Sequence, residues 1–145
     1  MTIADASIMI VDDEPELVEI FTAWLEGASC KRVVPADCGK TALTLLGSTR
    51  VDLLVTDINM PGIDGITLIR NIAKDGVRTP VIIVISGQNY NETELTQIGV
   101  RTILRKPVKR TDFLAVIEDA LSFGAERDSI GHPNQLEQST IPPSA

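Results

Sequence analysis

The fold of this chain is decided by the stretch VDLLVTDINMPGIDG, residues 51–65. Residues 53–55, Leu-Leu-Val, form a short unbroken apolar run, which is typical of a strand buried on both faces. Asp57 stands where the run stops, and the Met-Pro-Gly sequence at 60–62 turns the backbone away from the strand. The pattern predicts a central strand with Asp57 at its carboxyl end, facing a loop. Ligands bind at that edge of open α/β sheets.

Composition indicates an ordinary globular protein with one domain. The 145 residues are enough to bury a sizeable core, and 43% of them are hydrophobic and 23% charged. Aromatic residues are limited to three Phe, one Trp and one Tyr, so we expect an aliphatic core. The formal net charge of −7 argues against general nucleic-acid binding, which requires a basic surface.

The sequence also indicates a compartment. No apolar run approaches the roughly 18 residues needed to span a bilayer, and the N-terminus lacks the basic start and apolar stretch of a signal peptide. We therefore interpret Cys30 and Cys38 as reduced thiols in a cytoplasmic protein. Two cysteines without a nearby histidine make a poor metal site, and the single histidine, His132, lies near the C-terminus.

Four more strands and five helices are predicted from hydrophobic periodicity. The strands are 7–11, 32–35, 81–85 and 100–104. The helices begin near Pro15, Gly39, Gly65, Asn91 and Thr111 and end near Gly27, Gly47, Gly76, Gly99 and Gly124. In the third helix, the buried stripe is predicted to be Ile69, Ile72 and Ala73. Strands that alternate with helices across short loops predict an α/β fold, a doubly wound parallel sheet with helices on both faces.

The last segment of the chain differs in composition. From Ala125 onward no apolar periodicity is present, and Ser, Pro, Gln and Asn dominate. We therefore predict one folded domain at 6–124 and a flexible tail at 125–145, with no output domain of its own. The tail could also be a tether or a docking segment, and its Ile-Pro-Pro sequence at 141–143 does not decide the matter.

Chemically useful side chains follow four of the five predicted strands. These are Asp12 and Asp13, Asp57, Ser86 and Lys106. Taken singly, each has an ordinary explanation, such as helix capping for the Asp12-Asp13 pair, a turn for Asp57 or solvation for Lys106. However, the carboxyl ends of parallel strands lie at one edge of a sheet, so we expect these side chains to converge there. Their common location favours a functional site.

The residue types suggest the chemistry of that site. Three crowded carboxylates raise one another's pKa values unless a cation neutralises them. The available ligands are oxygen atoms, which indicates Mg²⁺ or Mn²⁺ rather than zinc. Lys106 would add a positive charge for a phosphoryl oxygen, and Ser86 a hydroxyl donor. Asp57 is then placed to attack phosphorus and form an aspartyl phosphate.

Together these motifs resemble a known family. They are Asp12-Asp13, the VTDINMPGIDG sequence at 55–65, Ser86-Gly87 and Lys106-Pro107. In order and spacing they closely resemble the receiver domain of two-component response regulators, especially the stand-alone, chemotaxis-regulator-like members. The resemblance covers about residues 6–124. It implies a flavodoxin-like sheet with strand order 2-1-3-4-5.

The resemblance also implies roles for the acidic residues. Asp57 would accept a phosphoryl group from a phosphohistidine on a sensor histidine kinase or a histidine phosphotransfer protein. Asp12, Asp13, Asp57 and the backbone carbonyl of Asn59 would hold Mg²⁺. The domain would catalyse its own phosphorylation and its own dephosphorylation, rather than turn over a substrate as an ordinary enzyme does.

The same resemblance implies a switch. Lys106, joined to Pro107 by a cis peptide bond, would bind the phosphoryl group, and Ser86 would swing towards it and reshape the face of the fourth helix, fifth strand and fifth helix. Output would be a protein contact at that face, with a phosphorylation-dependent homodimer as one form of it. Receivers usually carry an aromatic switch residue three places before the lysine, where this chain has Ile103. The usual rotamer exchange is therefore expected to be absent or to take another form, and Gln88 to influence the loss of the phosphoryl group.

Two other classes of function share this architecture. A Mg²⁺-dependent phosphohydrolase that works through an aspartyl phosphate commonly has an Asp-x-Asp pair, whereas residues 57–59 are Asp-Ile-Asn and lack that general acid. A flavodoxin-like nucleotide binder needs a Ser-, Thr- or Gly-rich phosphate loop after the first strand, where the Asp-Asp-Glu sequence at 12–14 would repel a phosphate. The leading hypothesis is therefore a stand-alone receiver.

A basic cluster around the fifth strand is a candidate docking surface. It consists of Arg101, Arg105, Lys106, Lys109 and Arg110. Its positive charge would suit an acidic partner protein, although a solvated rim explains the cluster equally well.

Overall fold

The computed structural model describes residues 1–74 and 78–130, with residues 124–130 described by their backbone alone. The strands are β1 (Ser7–Val11), β2 (Arg32–Ala36), β3 (Leu53–Asp57), β4 (Val81–Ser86) and β5 (Val100–Arg105). The helices are α1 (Pro15–Gly27), α2 (Gly39–Leu46), α3 (Gly65–Lys74), α4 (Glu92–Gln97) and α5 (Arg110–Ile130). A short 3₁₀ turn, Ile3–Asp5, precedes β1 and was not predicted.

The five strands form one parallel sheet. Its order is β2-β1-β3-β4-β5, which confirms the order implied by the resemblance and puts β3 at the centre. Val11 of β1 lies beside Thr56 of β3, and Asp57 of β3 lies beside Ile85 of β4. The carboxyl ends of these three strands therefore lie level with one another at a single edge.

The central strands are buried on both faces. Every residue of β3 and of β4 is buried, as expected for continuous apolar runs in a sheet that helices cover on both sides. Successive strand side chains point to opposite faces. Met9 and Leu54 accordingly belong to the hydrophobic cluster under α2, α3 and α4, whereas Ile10 and Val55 belong to the cluster under α1 and α5.

Three aromatic side chains pack together between α1 and α5. The stacked rings of Phe21 and Phe113 have centroids 4.9 Å apart, and the Trp24 ring lies 5.5 Å from Phe21 and 5.4 Å from Phe113. Apart from Phe21 and Phe113, the buried hydrophobic side chains of the described residues are aliphatic or methionine, so the core is largely aliphatic, as expected. Composition did not predict the aromatic cluster, because it joins two helices from opposite ends of the domain.

Two details of the helices differ from prediction. In α3, Leu68 is buried and Ala73 is exposed, so the buried stripe contains Leu68, Ile69 and Ile72. The predicted stripe was wrong at one position, because the apolar side chain that completes this helix face stands at 68.

The last helix also differs at both ends. Its first hydrogen bond runs from the Phe113 N–H to the Lys109 carbonyl, so the helix begins at Arg110, and Thr111, the predicted start, lies inside the first turn. The helix continues past Gly124 to Ile130, since a glycine inside a helix costs only about 1 kcal/mol. Residues 125–130, which the sequence assigned to the tail, are therefore helical. Gly76, the predicted end of the third helix, and residues 131–145 lie outside the described residues.

Within residues 1–74 and 78–130, no helix combines the length and the apolar character that a membrane span needs.

Candidate functional site

Three carboxylates meet at the carboxyl edge of the sheet. Asp12 and Asp13 follow β1, and Asp57 ends β3. One carboxylate oxygen from each lies within 4.8 Å of the other two. Asp12 and Asp57 are buried, with 2% and 6% of their surface exposed, whereas Asp13 is exposed. The structure therefore brings together the three acidic residues that the sequence predicted to converge.

Backbone amides hold the two buried carboxylates. Asp12 Oδ1 accepts a hydrogen bond of 2.9 Å from the Glu14 N–H, and Asp57 Oδ1 accepts one of 3.3 Å from the Asn59 N–H. In both turns an aspartate binds the amide two residues later. Helix α1 has Glu14 as its N-cap residue, without a side-chain cap hydrogen bond, so neither Asp12 nor Asp13 caps that helix.

Gly65 lets α3 begin directly against the end of β3. Its N–H donates a 2.8 Å hydrogen bond to the Ile58 carbonyl. A Cβ added at this position would overlap the Asp57 carbonyl oxygen and would lie 2.9 Å from Ile58 Cα. The sequence indicated Gly65 only as a helix start, but the residue also fixes how closely the loop after Asp57 packs.

Lys106 reaches the carboxylates from the end of β5. Its Nζ donates hydrogen bonds to Asp12 Oδ2 at 3.1 Å, to Glu14 Oε1 at 3.1 Å and to Asp57 Oδ2 at 3.2 Å. The Lys106–Pro107 peptide bond is cis, as the resemblance implied. One ammonium group therefore neutralises part of the charge of three carboxylates. The sequence analysis did not include Glu14 in the site. Its position directly after Asp12 and Asp13 could have indicated that it belongs there.

Two pKa shifts follow from this arrangement. Burial raises the pKa of Asp12, and the charge of Asp57 adds to the rise, while the Glu14 N–H and Lys106 oppose it. Burial by itself would lower the pKa of Lys106, but its hydrogen bonds to Glu14 and Asp12 and the nearby negative charges outweigh burial and raise that pKa. Lys106 is therefore cationic at neutral pH, and the ionised form of Asp12 would be stabilised by a further cation.

An open cavity lies over this cluster. Its volume is about 260 Å³, and its lining residues are Asp13, Glu14, Asp57, Asn59, Gly87, Gln88 and Lys106. At roughly 30 Å³ for each water molecule, the cavity could hold about eight waters. That is enough room for a hydrated cation together with a phosphoryl group.

Ser86 lies at the predicted edge but is engaged with the loop that follows it. Its hydroxyl donates a 3.0 Å hydrogen bond to the Gln88 carbonyl and accepts one of 3.2 Å from the Gln88 N–H. Ser86 is fully buried, whereas Gly87 and Gln88 line the cavity. In this structure, therefore, the serine hydroxyl is bonded to the backbone of Gln88, and Ser86 is not among the residues that line the cavity.

Ile103 packs into the hydrophobic cluster under α2, α3 and α4. It is half-buried, and Tyr90, from the loop before α4, packs against the same cluster. The guanidinium carbon of Arg105 lies 5.4 Å from the Tyr90 ring centroid, within cation–π range. This face of the domain thus carries an aromatic ring, which is contributed by the loop and not by the strand position where receivers usually have one.

The basic cluster is partly engaged within the chain. The Arg101 NH2 group lies 3.2 Å from Asp119 Oδ2, and its guanidinium carbon lies 4.2 Å from the centroid of the Phe123 ring. Lys109 and Arg110 are exposed at the start of α5. A docking surface for an acidic protein stays a prediction, and Lys109 and Arg110 are the residues best suited to it.

Comparison with known proteins agrees with the geometry. The family model described as the response regulator receiver domain matches residues 8–118. This chain belongs to that family. The matched residues include the acidic cluster and the strand-end serine and lysine. Receiver domains take part in two-component systems, interact with histidine kinases or phosphotransfer proteins, and typically bind Mg²⁺ in an acidic pocket. The Asp12, Asp13 and Asp57 cluster could hold such an ion.

Several curated proteins are similar to this receiver domain. It is 35% identical over 103 residues to the Regulator of RpoS of Escherichia coli, a match that covers 70% of this chain and 30% of that protein. It is 36% identical over 123 residues to the E. coli transcriptional regulatory protein GlrR, covering 83% of this chain and 27% of the other. The chain spans less than a third of the length of each of these relatives.

Solved structures of receiver domains share the fold. The Vibrio cholerae chemotaxis protein CheY4 has a TM-score of 0.73 at 22% identity, and the match covers 79% of this chain and 98% of that one. A structure named FixJ-N also has a TM-score of 0.73, at 27% identity, covering 81% of this chain and 94% of the other. The flavodoxin-like fold that the resemblance implied is confirmed.

Proposed function

We propose that this receiver domain accepts a phosphoryl group on Asp57 from a phosphohistidine of a sensor histidine kinase or a histidine phosphotransfer protein. The observation that supports the proposal most directly is the contact of Lys106 Nζ with Asp57 at 3.2 Å and with Asp12 at 3.1 Å, beside an open cavity. A cation held next to a carboxylate nucleophile can bind an oxygen of the incoming phosphoryl group.

The transfer is a single displacement at phosphorus. A carboxylate oxygen of Asp57 attacks, a P–O bond forms, and the P–N bond to the donor imidazole breaks. The electron pair of the broken bond leaves with the imidazole nitrogen, which then takes up a proton. Positioning and charge stabilisation supply most of the catalysis in phosphoryl transfer. The Lys106 ammonium provides the charge here, by exchanging a carboxylate partner for a phosphoryl oxygen.

The acidic cluster suits Mg²⁺, and Mn²⁺ could replace it because both ions prefer oxygen ligands. Asp12, Asp13 and Asp57 each offer one oxygen, and these oxygens lie within 4.8 Å of one another, so they would provide oxygen ligands of the kind that Mg²⁺ prefers. The Asn59 carbonyl is the fourth candidate ligand, since Asn59 lines the same cavity. When bound, the ion would neutralise the carboxylates and the transferring phosphoryl group.

Readout would begin at Ser86. In the phosphorylated domain its hydroxyl would exchange its two hydrogen bonds with Gln88 for a bond to the phosphoryl group. Ser86 is in register with Arg105 of β5, whose guanidinium lies over Tyr90. The change would therefore reach the face of α4, β5 and α5 through the loop and Tyr90, without a rotamer exchange at Ile103. Output is a protein contact at this face, either with a downstream target or with a second copy of the domain.

The proposal includes a cytoplasmic location. Cys30 and Cys38 are both free thiols, as a reducing compartment requires. Fractionation of the cells that make the protein tests this part independently of the chemistry.

Phosphorylation by a small-molecule donor tests the proposal. Wild type, Asp57→Asn and Asp37→Asn are incubated with acetyl phosphate, with and without Mg²⁺; the mass of the intact protein measures phosphoryl uptake, and sedimentation measures dimerisation. Asp37 is a suitable control because it is an exposed aspartate just after β2, outside the cluster. Wild type and Asp37→Asn should take up one phosphoryl group in the presence of Mg²⁺, and Asp57→Asn none. Equal uptake by Asp57→Asn would place the acceptor elsewhere, and continuous turnover of a phosphate ester would favour the phosphohydrolase.

A further inference from the structure

The ammonium group of Lys106 has no donor left for a further partner. A lysine ammonium carries three N–H donors. Lys106 Nζ uses them on Asp12 Oδ2 at 3.1 Å, Glu14 Oε1 at 3.1 Å and Asp57 Oδ2 at 3.2 Å. Its side chain is only 16% exposed, so water has little access to it. A phosphoryl oxygen therefore gains a full hydrogen bond from Lys106 only when one of the three carboxylates gives up its own.

The three carboxylates differ in what they lose when the lysine leaves. Asp12 and Asp57 are buried, so water does not readily replace the ammonium group beside them. The side chain of Glu14 is 60% exposed, and its carboxylate is hydrated as soon as it turns outwards. Breaking a charged hydrogen bond costs least where water can reach the partner that is left. Glu14 is therefore the carboxylate that Lys106 can release most easily.

Glu14 also lines the cavity in which the phosphoryl group would lie. Asp57 and Lys106 line it too, whereas Asp12 is not among its described lining residues. Asp57 is the proposed acceptor and has to stay beside the lysine during transfer. Of the two lysine partners in the cavity, Glu14 is thus the one that can be exchanged without displacing the acceptor.

This exchange requires movement of the Glu14 side chain only. The Glu14 N–H donates a 2.9 Å hydrogen bond to Asp12 Oδ1, and its carbonyl accepts bonds of 3.1 Å and 3.2 Å from the N–H groups of Leu17 and Val18 in α1. These bonds fix the backbone and do not use the carboxylate. Among the side chains that the structure describes, the hydrogen-bond and ion-pair partner of that carboxylate is Lys106. Replacing the carboxylate should therefore remove the lysine contact and leave the turn in place.

We infer that the Glu14 carboxylate occupies, on Lys106, the place that a phosphoryl oxygen takes during transfer. In the unphosphorylated domain it completes the hydrogen bonding of the lysine, and it turns into solvent when the lysine binds the donor. Glu14 is thus a positioning residue that competes with the donor for Lys106 and sets how much donor is needed. This inference rests on the proposed acceptance of a phosphoryl group by Asp57.

The kinetics of phosphorylation by acetyl phosphate test the inference. Uptake by the full chain in Mg²⁺ is followed by intact mass over a range of donor concentrations. Glu14→Gln keeps the size of the side chain and removes its charge, so the lysine is released more easily. The half-saturating donor concentration should fall about three- to fivefold, the effect of losing one ion pair at a surface, and the rate at saturation should change by less than about twofold. A purely structural role would lower the saturated rate instead.

A double-mutant cycle separates competition for Lys106 from direct repulsion of the anionic donor. In the Lys106→Met background, which is followed over longer incubations, Glu14→Gln should change the rate by less than about twofold, because no ammonium group remains to be released. The control Glu16→Gln removes another exposed acid from the first turn of α1 and should leave the half-saturating concentration unchanged. Thermal unfolding checks that every variant folds.

Several results would overturn the inference. An unchanged half-saturating concentration in Glu14→Gln would mean that this carboxylate does not compete for the lysine. An equal effect with and without Lys106 would mean that Glu14 repels the donor directly, and an equal effect of Glu16→Gln would assign the change to net charge. Absence of uptake by wild type would overturn the proposed function as well, so the two failures are distinguishable.

Discussion

Lys106 Nζ lies 3.2 Å from Asp57 Oδ2, although the two residues are 49 positions apart and belong to the ends of different strands. The same nitrogen also contacts Asp12 and Glu14. In the domain without metal, the lysine is thus the counter-ion of the carboxylates that are proposed to hold Mg²⁺. Lysine and metal ion therefore repel each other at a shared set of oxygens, and this repulsion can be measured.

Replacing Lys106 by methionine should strengthen Mg²⁺ binding. A unit charge at about 4 Å contributes around 4 kcal/mol at an effective dielectric constant of about 20. Solvent screening reduces this, so we expect Mg²⁺ to bind roughly five- to tenfold more tightly to Lys106→Met than to wild type. The same variant should be phosphorylated more slowly, because the group that binds the phosphoryl oxygen is lost. Calorimetric Mg²⁺ titration and acetyl phosphate kinetics measure the two effects.

Lys109→Met is the matched control for this variant, since Lys109 is an exposed lysine three residues later. It should leave both quantities unchanged. Weaker Mg²⁺ binding by Lys106→Met would mean that the lysine does not compete with the ion.

Asp13 is predicted to affect the metal and not the fold. It is exposed, so Asp13→Asn should change the free energy of unfolding by less than about 0.5 kcal/mol. Because Asp13 is a proposed Mg²⁺ ligand, losing its carboxylate should raise the Mg²⁺ concentration for half-maximal phosphorylation by roughly tenfold. The control is Glu16→Gln. Glu16 is also an exposed acid but lies in the first turn of α1, and its replacement should leave the Mg²⁺ requirement unchanged. An unchanged Mg²⁺ requirement in Asp13→Asn would remove Asp13 from the ligand set.

Asp12 should make the stability of the metal-free domain depend on pH. Burial raises its pKa above the ordinary value of 3.8, so the folded state binds this proton more tightly than the unfolded chain does. Protonation of Asp12 therefore stabilises the folded state fully below pH 3.8, and this stabilisation is lost as pH rises through the folded-state pKa. Since asparagine does not titrate, Asp12→Asn should gain stability relative to wild type over that range.

Denaturant unfolding of Asp12→Asn and wild type in EDTA, at a series of pH values, measures this difference. At neutral pH, Mg²⁺ should make wild type the more stable of the two proteins, because only wild type has the Asp12 carboxylate that is proposed to bind the ion. A difference in stability that does not change with pH would mean that Asp12 has the same pKa in the folded and unfolded states.

Gly65→Ala should disturb both the fold and the site. The added Cβ would overlap the Asp57 carbonyl oxygen, and overpacking against backbone typically costs about 1–3 kcal/mol. We expect a loss of stability near the upper end of that range together with slower phosphorylation. Gly27→Ala, at the end of α1 where a Cβ would meet no atom within 4 Å, is the control and should be neutral. Wild-type stability of Gly65→Ala would show that the loop after Asp57 adjusts easily.

The parts of the site that the sequence predicted share one property. Asp12, Asp57 and Lys106 each stand at the end of a predicted strand or shortly after it, so the parallel arrangement of the strands brings them to one edge. Local pattern and parallel topology were therefore sufficient for the sheet and for the acidic cluster. The family resemblance added strand order and the roles of the residues.

The features that were missed depend on the reach of side chains across the fold. The contact of Glu14 with Lys106, the ring of Tyr90 beneath Arg105, and the carboxylate of Asp52 between two arginines join residues that no periodicity relates. Ser86 shows the same limit, because its position at the end of the fourth strand predicted its place at the edge but not its hydrogen bonds to the next loop.

The most direct test of the central claim is to find which residue carries the phosphoryl group. The protein is phosphorylated with acetyl phosphate and Mg²⁺ and then reduced with borohydride, which converts an aspartyl phosphate into homoserine. Tandem mass spectrometry of the peptides locates that residue. We predict homoserine at position 57 and unmodified aspartate at Asp12 and Asp13. Homoserine at either of those two positions, or a phosphorylated protein without homoserine, would contradict the claim that Asp57 is the acceptor.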